Sequence, residues 1–146
     1  MINSFTGKHA FLSNFYPYRI RYDGYYFPSS ENAYQAAKIG PGPNEQQTPE
    51  WVQHQLITPA QSKKLGKKLP LRADWEQVKD QIMYNILLIK FSNPHLAEML
   101  LNTGDEELIE GNWWNDTYWG VCNGVGQNKL GKILMNIRAQ KKIQNT

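Results

Sequence analysis

The stretch Tyr18-Arg19-Ile20-Arg21-Tyr22-Asp23-Gly24-Tyr25-Tyr26-Phe27-Pro28-Ser29-Ser30-Glu31-Asn32-Ala33-Tyr34-Gln35-Ala36-Ala37-Lys38 places two kinds of local order side by side. Asp23-Gly24 lies between Tyr18–Tyr22 and Tyr25–Phe27, and both turn positions tolerate the positive φ of a two-residue hairpin. Alternation on either side is weak, which predicts a small sheet. After Pro28, Ser29 or Ser30 can cap a helix running to about Ile39. A hairpin feeding straight into a helix sets an α+β class, and the rest of the chain makes it mainly α.

Gly40-Pro41-Gly42-Pro43-Asn44 breaks the chain into a loop. Thr48-Pro49 and Thr58-Pro59 each set a capping hydroxyl before a proline, predicting helices at roughly 49–57 and 59–68. Asp74-Trp75-Glu76-Gln77 resembles a capping box and opens the longest helix, to about Phe91. Along it Trp75, Val78, Ile82, Ile86 and Ile89 recur every three or four residues as a buried stripe. Asn93-Pro94 starts a helix that stops at Thr103-Gly104, and Leu108-Ile109 reads as a short strand. From Gly111 to Gly126 there is no regular period. A last helix, about 127–141, buries Leu130, Ile133, Leu134 and Ile137. The expectation is a single domain over residues 1–146, compact and multihelical with a small β-hairpin or sheet.

Of the 146 residues, 40% are apolar and 20% charged, a balance suited to a folded, soluble chain. No apolar run approaches the roughly 20 residues of a membrane span, and the first residues do not read as a secretory signal. Cys122 is the only cysteine, so the fold holds without an internal disulfide, as expected of a cytoplasmic protein. His9, His54 and His95 lie far apart with no HExxH, and no metal site is expected. The net charge of +3 is mild for a nucleic-acid binder. Its positive residues cluster, however: Lys63, Lys64, Lys67, Lys68 and Arg72, then Arg138, Lys141 and Lys142. Two solvated helix faces or contacts to phosphates both fit. Many of the five Trp, eight Tyr and five Phe crowd into Phe11–Phe27 and Trp113–Trp119, a pattern suggesting loops that line a site for a flat ring.

Three segments carry chemistry. On a helix Glu31, Tyr34, Gln35 and Lys38 share one face, a poor core surface. If that helix is enclosed, the Glu needs a partner and the Lys tends to lose its proton, becoming a nucleophile able to form a Schiff base with a sugar aldehyde. In the second segment Glu110 and Asp116 lie six residues apart among tryptophans. Either could stabilise positive charge on a ribose as a glycosidic bond breaks, although an Asp beside Gly and Asn is equally a turn former. Third, Gly124-Val125-Gly126 leads into a helix whose N-terminus could receive a phosphate, without a P-loop or dinucleotide fingerprint.

Several ordered motifs together resemble the NADAR (YbiA-like) family. They are Phe11-Leu12-Ser13-Asn14-Phe15-Tyr16-Pro17, Ser29-Ser30-Glu31 with Tyr34-Gln35 and Lys38, and Met83 with Lys90-Phe91, followed by Leu101 and Thr103. Ile109-Glu110, Asp116 with Trp119-Gly120, Gly126 with Asn128, and Leu130-Gly131 through Leu134-Met135 to Arg138 complete the set. The resemblance covers about Phe5–Arg138. It implies a mainly helical fold and an N-glycosidase without cofactor or metal that breaks a ribose C1–N bond. Family members act on phosphoribosyl-amine intermediates of riboflavin synthesis, or remove ADP-ribose from guanine in nucleic acid. The implied partner is thus a substrate containing ADP-ribose or phosphoribose, with ADP-ribosylated DNA or RNA a candidate, and no membrane or obligate protein partner.

Carried over, Glu31, Lys38 and Asp116 are the catalytic candidates, with Glu31 and Lys38 at the reacting sugar. Ser13, Asn14 and Phe15 line the ribose or base site, and Asp116 and Trp119 close its other side. Asn128 and Arg138 serve phosphate or hold the loop, and Tyr34, Trp114 and Gly120 join the substrate-binding set. Asn32 departs from the pattern, since many relatives have His there. A non-catalytic ADP-ribose or nucleotide reader is the competing reading. A protein whose aromatic loops dock a partner is the third, and the Glu, Lys and Asp argue against it.

Overall fold

The computed structural model describes residues 1–40 and 48–145 and, for residues 48 and 49, the backbone only. The loop expected at Gly40–Asn44 therefore lies, from residue 41 on, outside the described residues, as does the capping hydroxyl of Thr48. The chain divides into two units, Asn14–Lys90 and a second formed by Met1–Ser13 with Phe91–Thr146.

In the unit Asn14–Lys90, strands β1 (Ile20–Tyr22) and β2 (Tyr25–Phe27) pair antiparallel with Tyr22 opposite Tyr25. Asp23 and Gly24 both take positive φ, 50° and 82°, as the hairpin signal requires. Helix α1 (Ser30–Ala37) follows, its Ser29 side chain accepting from the Asn32 N–H. Then come α2 (Thr48–Gln55), α3 (Pro59–Gly66) and α4 (Trp75–Lys90). At α3 the expected Thr58 cap is a full capping box closed by Gln61. At α4 the expected box does not form: Arg72 takes both Asp74 carboxylate oxygens, at 2.6 and 2.9 Å, and the Gln77 N–H bonds to the Asp74 carbonyl instead.

Every residue of α1 is buried. Ala33, Ala36 and Ala37 are almost wholly shielded, and small side chains let α2, α3, α4 and the hairpin approach from different sides. Trp51 of α2 is fully buried under the hairpin. It stacks on Tyr22 at 6.2 Å and meets Tyr25 and Phe27 at 5.9 and 5.8 Å. Tyr22, Tyr25 and Phe27 of this aromatic segment thus pack on Trp51, while Phe15 and Tyr26 are exposed. Helix α4 buries Trp75, Ile82, Met83, Ile86, Leu87 and Lys90. The expected stripe is rotated at its end, with Ile89 exposed and a lysine taking the inner position.

In the other unit the chain runs through a 3-10 helix (Gly7–Leu12), α5 (Pro94–Leu101), β3 (Gly111–Asn112), β4 (Val121–Cys122) and α6 (Lys129–Gln144). Asn93 caps α5 through its side chain. The expected strand at Leu108-Ile109 is a bridge of Leu108 to Ile2, fixed by hydrogen bonds between residue 2 and residues 107 and 109. The segment expected to be irregular instead carries β3 and β4, paired in parallel. Leu96 and Leu100 of α5 and Leu130, Leu134 and Ile137 of α6 are buried, with Phe11 meeting Phe91 edge-on at 6.5 Å. The architecture is α+β and mainly α. No described helix is long and apolar enough to cross a membrane.

One buried knot ties α1, α2 and α3. The Asn32 amide donates to the carbonyls of His54 and Ile57, both at 2.9 Å, and its oxygen accepts from Ser29 Oγ at 2.5 Å. The departure at Asn32 from the family's His is thus a structural tie. His54, fully buried, bonds Ser62 Oγ through Nδ1 at 2.6 Å. Burial, aided by the charge of Lys38, lowers its pKa to about 4. Below an unfolded value near 6.5 the unfolded chain binds a proton that the folded chain refuses, so stability falls as pH drops toward 4. The full loss approaches about 3 kcal/mol. Melting curves from pH 7.5 to 4.5 should show this fall. The His54→Asn variant, less stable at neutral pH, should show a visibly shallower one.

Candidate active site

Helix α1 presents Glu31, Tyr34, Gln35 and Lys38 at the expected helical spacing. Two contacts fix where the helix starts. The Glu31 N–H donates to the Asn14 carbonyl at 3.0 Å, and Ser30 Oγ donates to Asn14 Oδ1 at 2.8 Å. The Asn14 amide also reaches Met83 Sδ at 3.5 Å. Asn14, expected to line the substrate site, thus serves as the bracket that places Glu31.

Glu31 is only 7% exposed, and its Oε1 accepts from Gln35 Nε2 at 3.0 Å, one helical turn on. Tyr34 is buried against Trp75 at 5.2 Å, and the Lys38 ammonium lies 5.6 Å from the Tyr34 ring centre. Desolvation lowers the pKa of Lys38. The Glu31 charge opposes that shift, whereas Lys63 and Lys67 of α3 and Lys79 of α4 add to it. In the basic cluster at 63–72, Lys64, Lys67 and Lys68 are exposed and Lys63 is half-buried, and the charges of Lys63 and Lys67 act on Lys38. Arg72 of the same cluster is taken by Asp74. Phe15, 42% exposed, carries the Lys63 ammonium 6.0 Å from its ring centre.

The other unit holds the remaining candidates. Asn112 is the hub of the Trp-rich loop. Its amide nitrogen donates to Glu110 Oε2 at 3.0 Å and to the Asp116 carbonyl at 2.8 Å, while its oxygen accepts from the Asp116 N–H at 3.0 Å. Asp116 Oδ1 accepts from the N–H groups of Tyr118 and Trp119, at 3.1 and 2.9 Å. The turn-forming role of Asp116 is therefore present in the structure. Gly120 is buried, and a Cβ there would fall on the Glu110 carboxylate. Its hydrogen makes room for that side chain. Trp113 and Trp114 are 85% and 43% exposed, edge-to-face at 5.5 Å.

The expectation of a phosphate at the start of α6 is corrected here, and of the two roles expected for Asn128 and Arg138 the structure shows the holding of loops. The start of α6 is closed: the N–H groups of Gln127, Asn128, Lys129 and Leu130 bond to the carbonyls of Thr117, Gly120, Tyr118 and Trp119, leaving no open cradle there. Asn128 spends its amide on the Glu110 N–H and the Leu108 carbonyl, at 3.0 and 2.9 Å. Arg138, mostly buried, donates to Thr103 Oγ1 and the Glu106 carbonyl at 2.8 and 2.7 Å. Both hold loops. Lys142 is likewise engaged, by Asp105 and the Gly104 carbonyl. Ser13 ends the 3-10 helix, its N–H on the Ala10 carbonyl.

A model of the NADAR domain matches residues 3–141, across both units. The chain belongs to the NADAR family. It is 39% identical over 133 residues to an N-glycosidase of Nostoc punctiforme, covering 88% of this chain and 83% of that protein. It is 35% identical over 137 residues to the N-glycosidase YbiA of Escherichia coli (strain K12), covering 91% and 82%. A riboflavin biosynthesis protein of Vibrio vulnificus matches at 38% over 137 residues, which is 91% of this chain but 36% of that one. The NMR structure of E. coli YbiA superposes with a TM-score of 0.81 at 32% identity, over 99% of this chain and 89% of that chain.

Two participants escaped the sequence reading. Lys79 is separated in sequence from the cluster it joins. Gly66 is silent without its neighbour. Lys90 entered only as part of a motif, without a role, although it interrupts the apolar positions Met83, Ile86 and Leu87. It is fully buried, 5.6 Å from the Tyr16 ring centre, and its pKa is pushed down to about 7 by desolvation. That makes Lys90 an amine of low charge, but one shielded from any ligand, whereas Lys38 is only half-buried.

Gly120→Ala should force Glu110 off Asn112 and overpack the loop, costing about 2–3 kcal/mol. For a chain of this length that is a fall in melting temperature of about 5–10 °C, measurable by calorimetry.

Proposed function

We propose that this NADAR-family N-glycosidase hydrolyses the bond between ribose C1 and nitrogen in a phosphate-bearing nucleotide-like substrate, with Glu31 and Lys38 at the reacting sugar. The observation that carries the reading is a desolvated carboxylate and a desolvated amine on one helix face, with lysines of two other helices acting on the amine. Such a concentration of positive charge favours a substrate that brings phosphate. The names of the relatives support cleavage of an N-glycosidic bond.

As the C1–N bond breaks, its electron pair leaves on nitrogen, which takes a proton, and positive charge develops on the ribose. The Glu31 carboxylate, acceptor-only and partly desolvated, stabilises that charge. Water completes the reaction by adding hydroxyl to C1. In the version that the lowered pKa of Lys38 supports, its neutral amine adds to C1 of the ring-opened ribose, the C1–N bond to the base breaks, the base leaves with a proton, and a lysine Schiff base remains. Water then hydrolyses the Schiff base and returns the amine. Burial of the ammonium in a low-dielectric surround favours the neutral form, while Glu31 restrains the shift.

Phe15 is proposed to line the site of Glu31 and Lys38, and Ser13, Trp114, Asp116 and Trp119 of the other unit are proposed to take part in substrate binding. The NADAR match running across both units supports their acting as one domain. The substrate is proposed to be ADP-ribosylated guanine, in nucleic acid or as a nucleotide, or a phosphoribosylaminopyrimidine of riboflavin synthesis. The exposed Trp113–Trp114 pair favours a base-bearing partner, because bases stack on aromatic faces.

Incubation with an ADP-ribosylated guanine oligonucleotide and with phosphoribosylaminopyrimidine, followed by mass spectrometry, should show cleavage at C1–N in one of them. Saturable binding with both ligands intact after long incubation would establish a non-catalytic reader instead. With the cleaved substrate, borohydride should trap a ribose adduct on the Lys38 peptide, and Lys38→Ala should lower kcat by about 100-fold or more. A missing adduct with near-normal turnover by Lys38→Ala reduces that lysine to an electrostatic role.

A further inference from the structure

Helix α3 ends in a glycine with no conformational reason to be there. Gly66 has an ordinary φ, outside the left-handed region, and the cap after it, Lys67, is right-handed helical with a φ of −69°. A glycine in such a position destabilises a helix by about 0.5–1 kcal/mol relative to alanine. What it provides is space. A Cβ on Gly66 would fall on Gln35 Oε1 and lie 2.9 Å from Gln35 Cδ.

Gln35 is 3% exposed, and its oxygen has no hydrogen-bond partner among the described residues. A buried acceptor left unmade costs about 1–3 kcal/mol. The fold therefore accepts two unfavourable features at one point, a helical glycine and an orphaned amide oxygen. Both serve the same result: the Gln35 amide turns its nitrogen to Glu31 Oε1, at 3.0 Å. Turned the other way, the amide would set oxygen against carboxylate oxygen. The slot at Gly66 accepts the oxygen without requiring a donor.

We infer that Gln35 is a positioning residue for Glu31, and that Gly66 is the slot that fixes which way its amide faces. The donated N–H favours the ionised carboxylate and holds one of its oxygens in place. This rests on the reading of Glu31 as the group at the reacting sugar. The charged groups around the pair are Lys38 on α1, Lys63 and Lys67 on α3, and Lys79 on α4, the last also paired with Glu76 at 2.7 Å. On α2, His54 stays neutral above about pH 4. On the hairpin, Arg21 lies over Tyr26 at 5.6 Å.

The test is a set of variants, Glu31→Gln, Gln35→Met, Gln35→Ala, Gly66→Ala and Gln35→Ala with Gly66→Ala, assayed on whichever of the two substrates above is cleaved. Gln35→Met keeps the bulk and removes the donor. It should lower kcat about 10-fold or more with KM within about threefold, and move the acid limb of the kcat profile up by about one pH unit. Gly66→Ala should reproduce both changes and lower the melting temperature. On the Gln35→Ala background, Gly66→Ala should raise the melting temperature by about 2–4 °C, because the added methyl enters vacated space and the helical glycine is gone. An inactive Glu31→Gln beside a Gln35→Met enzyme with wild-type kcat and acid limb overturns the positioning role while leaving the reading of Glu31 intact. Equal melting-temperature losses from Gly66→Ala on both backgrounds overturn the slot. A fully active Glu31→Gln removes the reading of Glu31 itself, and the inference with it.

Discussion

Enclosing the polar face of α1 is the constraint on which the rest of the structure depends. Water is the cheapest partner for a carboxylate, an amide and an amine, and here most of it is displaced by α2, α3, α4 and the hairpin. The remaining polar groups must then satisfy one another. Ser29 caps Asn32, Asn32 ties the end of α2, Asn14 brackets Ser30 and Glu31, and Gln35 bonds Glu31. The small residues Ala33, Ala36, Ala37 and Gly66 make that enclosure geometrically possible. Stability and reactivity are therefore opposed at one helix. The same desolvation that weakens the fold lowers the proton affinity of Lys38 and makes each nearby charge count for more.

The two units handle their polar groups differently. In Asn14–Lys90 the candidate groups are titratable and their environment shifts them, as at Lys38. In the other unit the polar residues mostly bond backbone. Asn112, Asp116, Asn128 and Arg138 hold the loop that carries Trp113 and Trp114 and the turns on either side of it. A loop with few regular hydrogen bonds needs side-chain amides in their place, and Asn115, Asn123 and Asn128, all at positive φ, show how tightly the chain turns there.

Local signals in the sequence were read well where the chain itself supplies the answer. Asp23-Gly24 gives the hairpin, and Thr58 and Asn93 give helix starts. The spacing of Glu31, Gln35 and Lys38 gave their shared face because helical geometry alone sets it. Misreadings came where a distant or competing partner decides. Asp74 had a capping pattern but Arg72 two residues back offered a bidentate ion pair. The Gly-rich turn before α6 looked ready for phosphate until carbonyls of residues 117–120 filled it. The parallel β3–β4 pair is two residues per strand, too short to show any period. Tyr22, Tyr25 and Phe27 before α1 resembled a ligand lining because nothing in the sequence says that Trp51 lies beneath them.

Lysines illustrate the limit most clearly. Five positive residues within 63–72 look alike in sequence, yet they divide by neighbour: Lys63 and Lys67 act on Lys38, while Arg72 is neutralised by Asp74. Lys79 joins the first group from another helix. Lys90 is buried outright at an apolar position. Charge at the site is therefore a property of how α1, α3 and α4 pack, and composition reports only that the lysines exist. A carboxylate held by its own helix and an amine opposed by three others are then parts of one design. Glu31 opposes the loss of the Lys38 proton, and Lys63, Lys67 and Lys79 favour it. The balance between them and the burial of the amine sets how far its proton affinity falls.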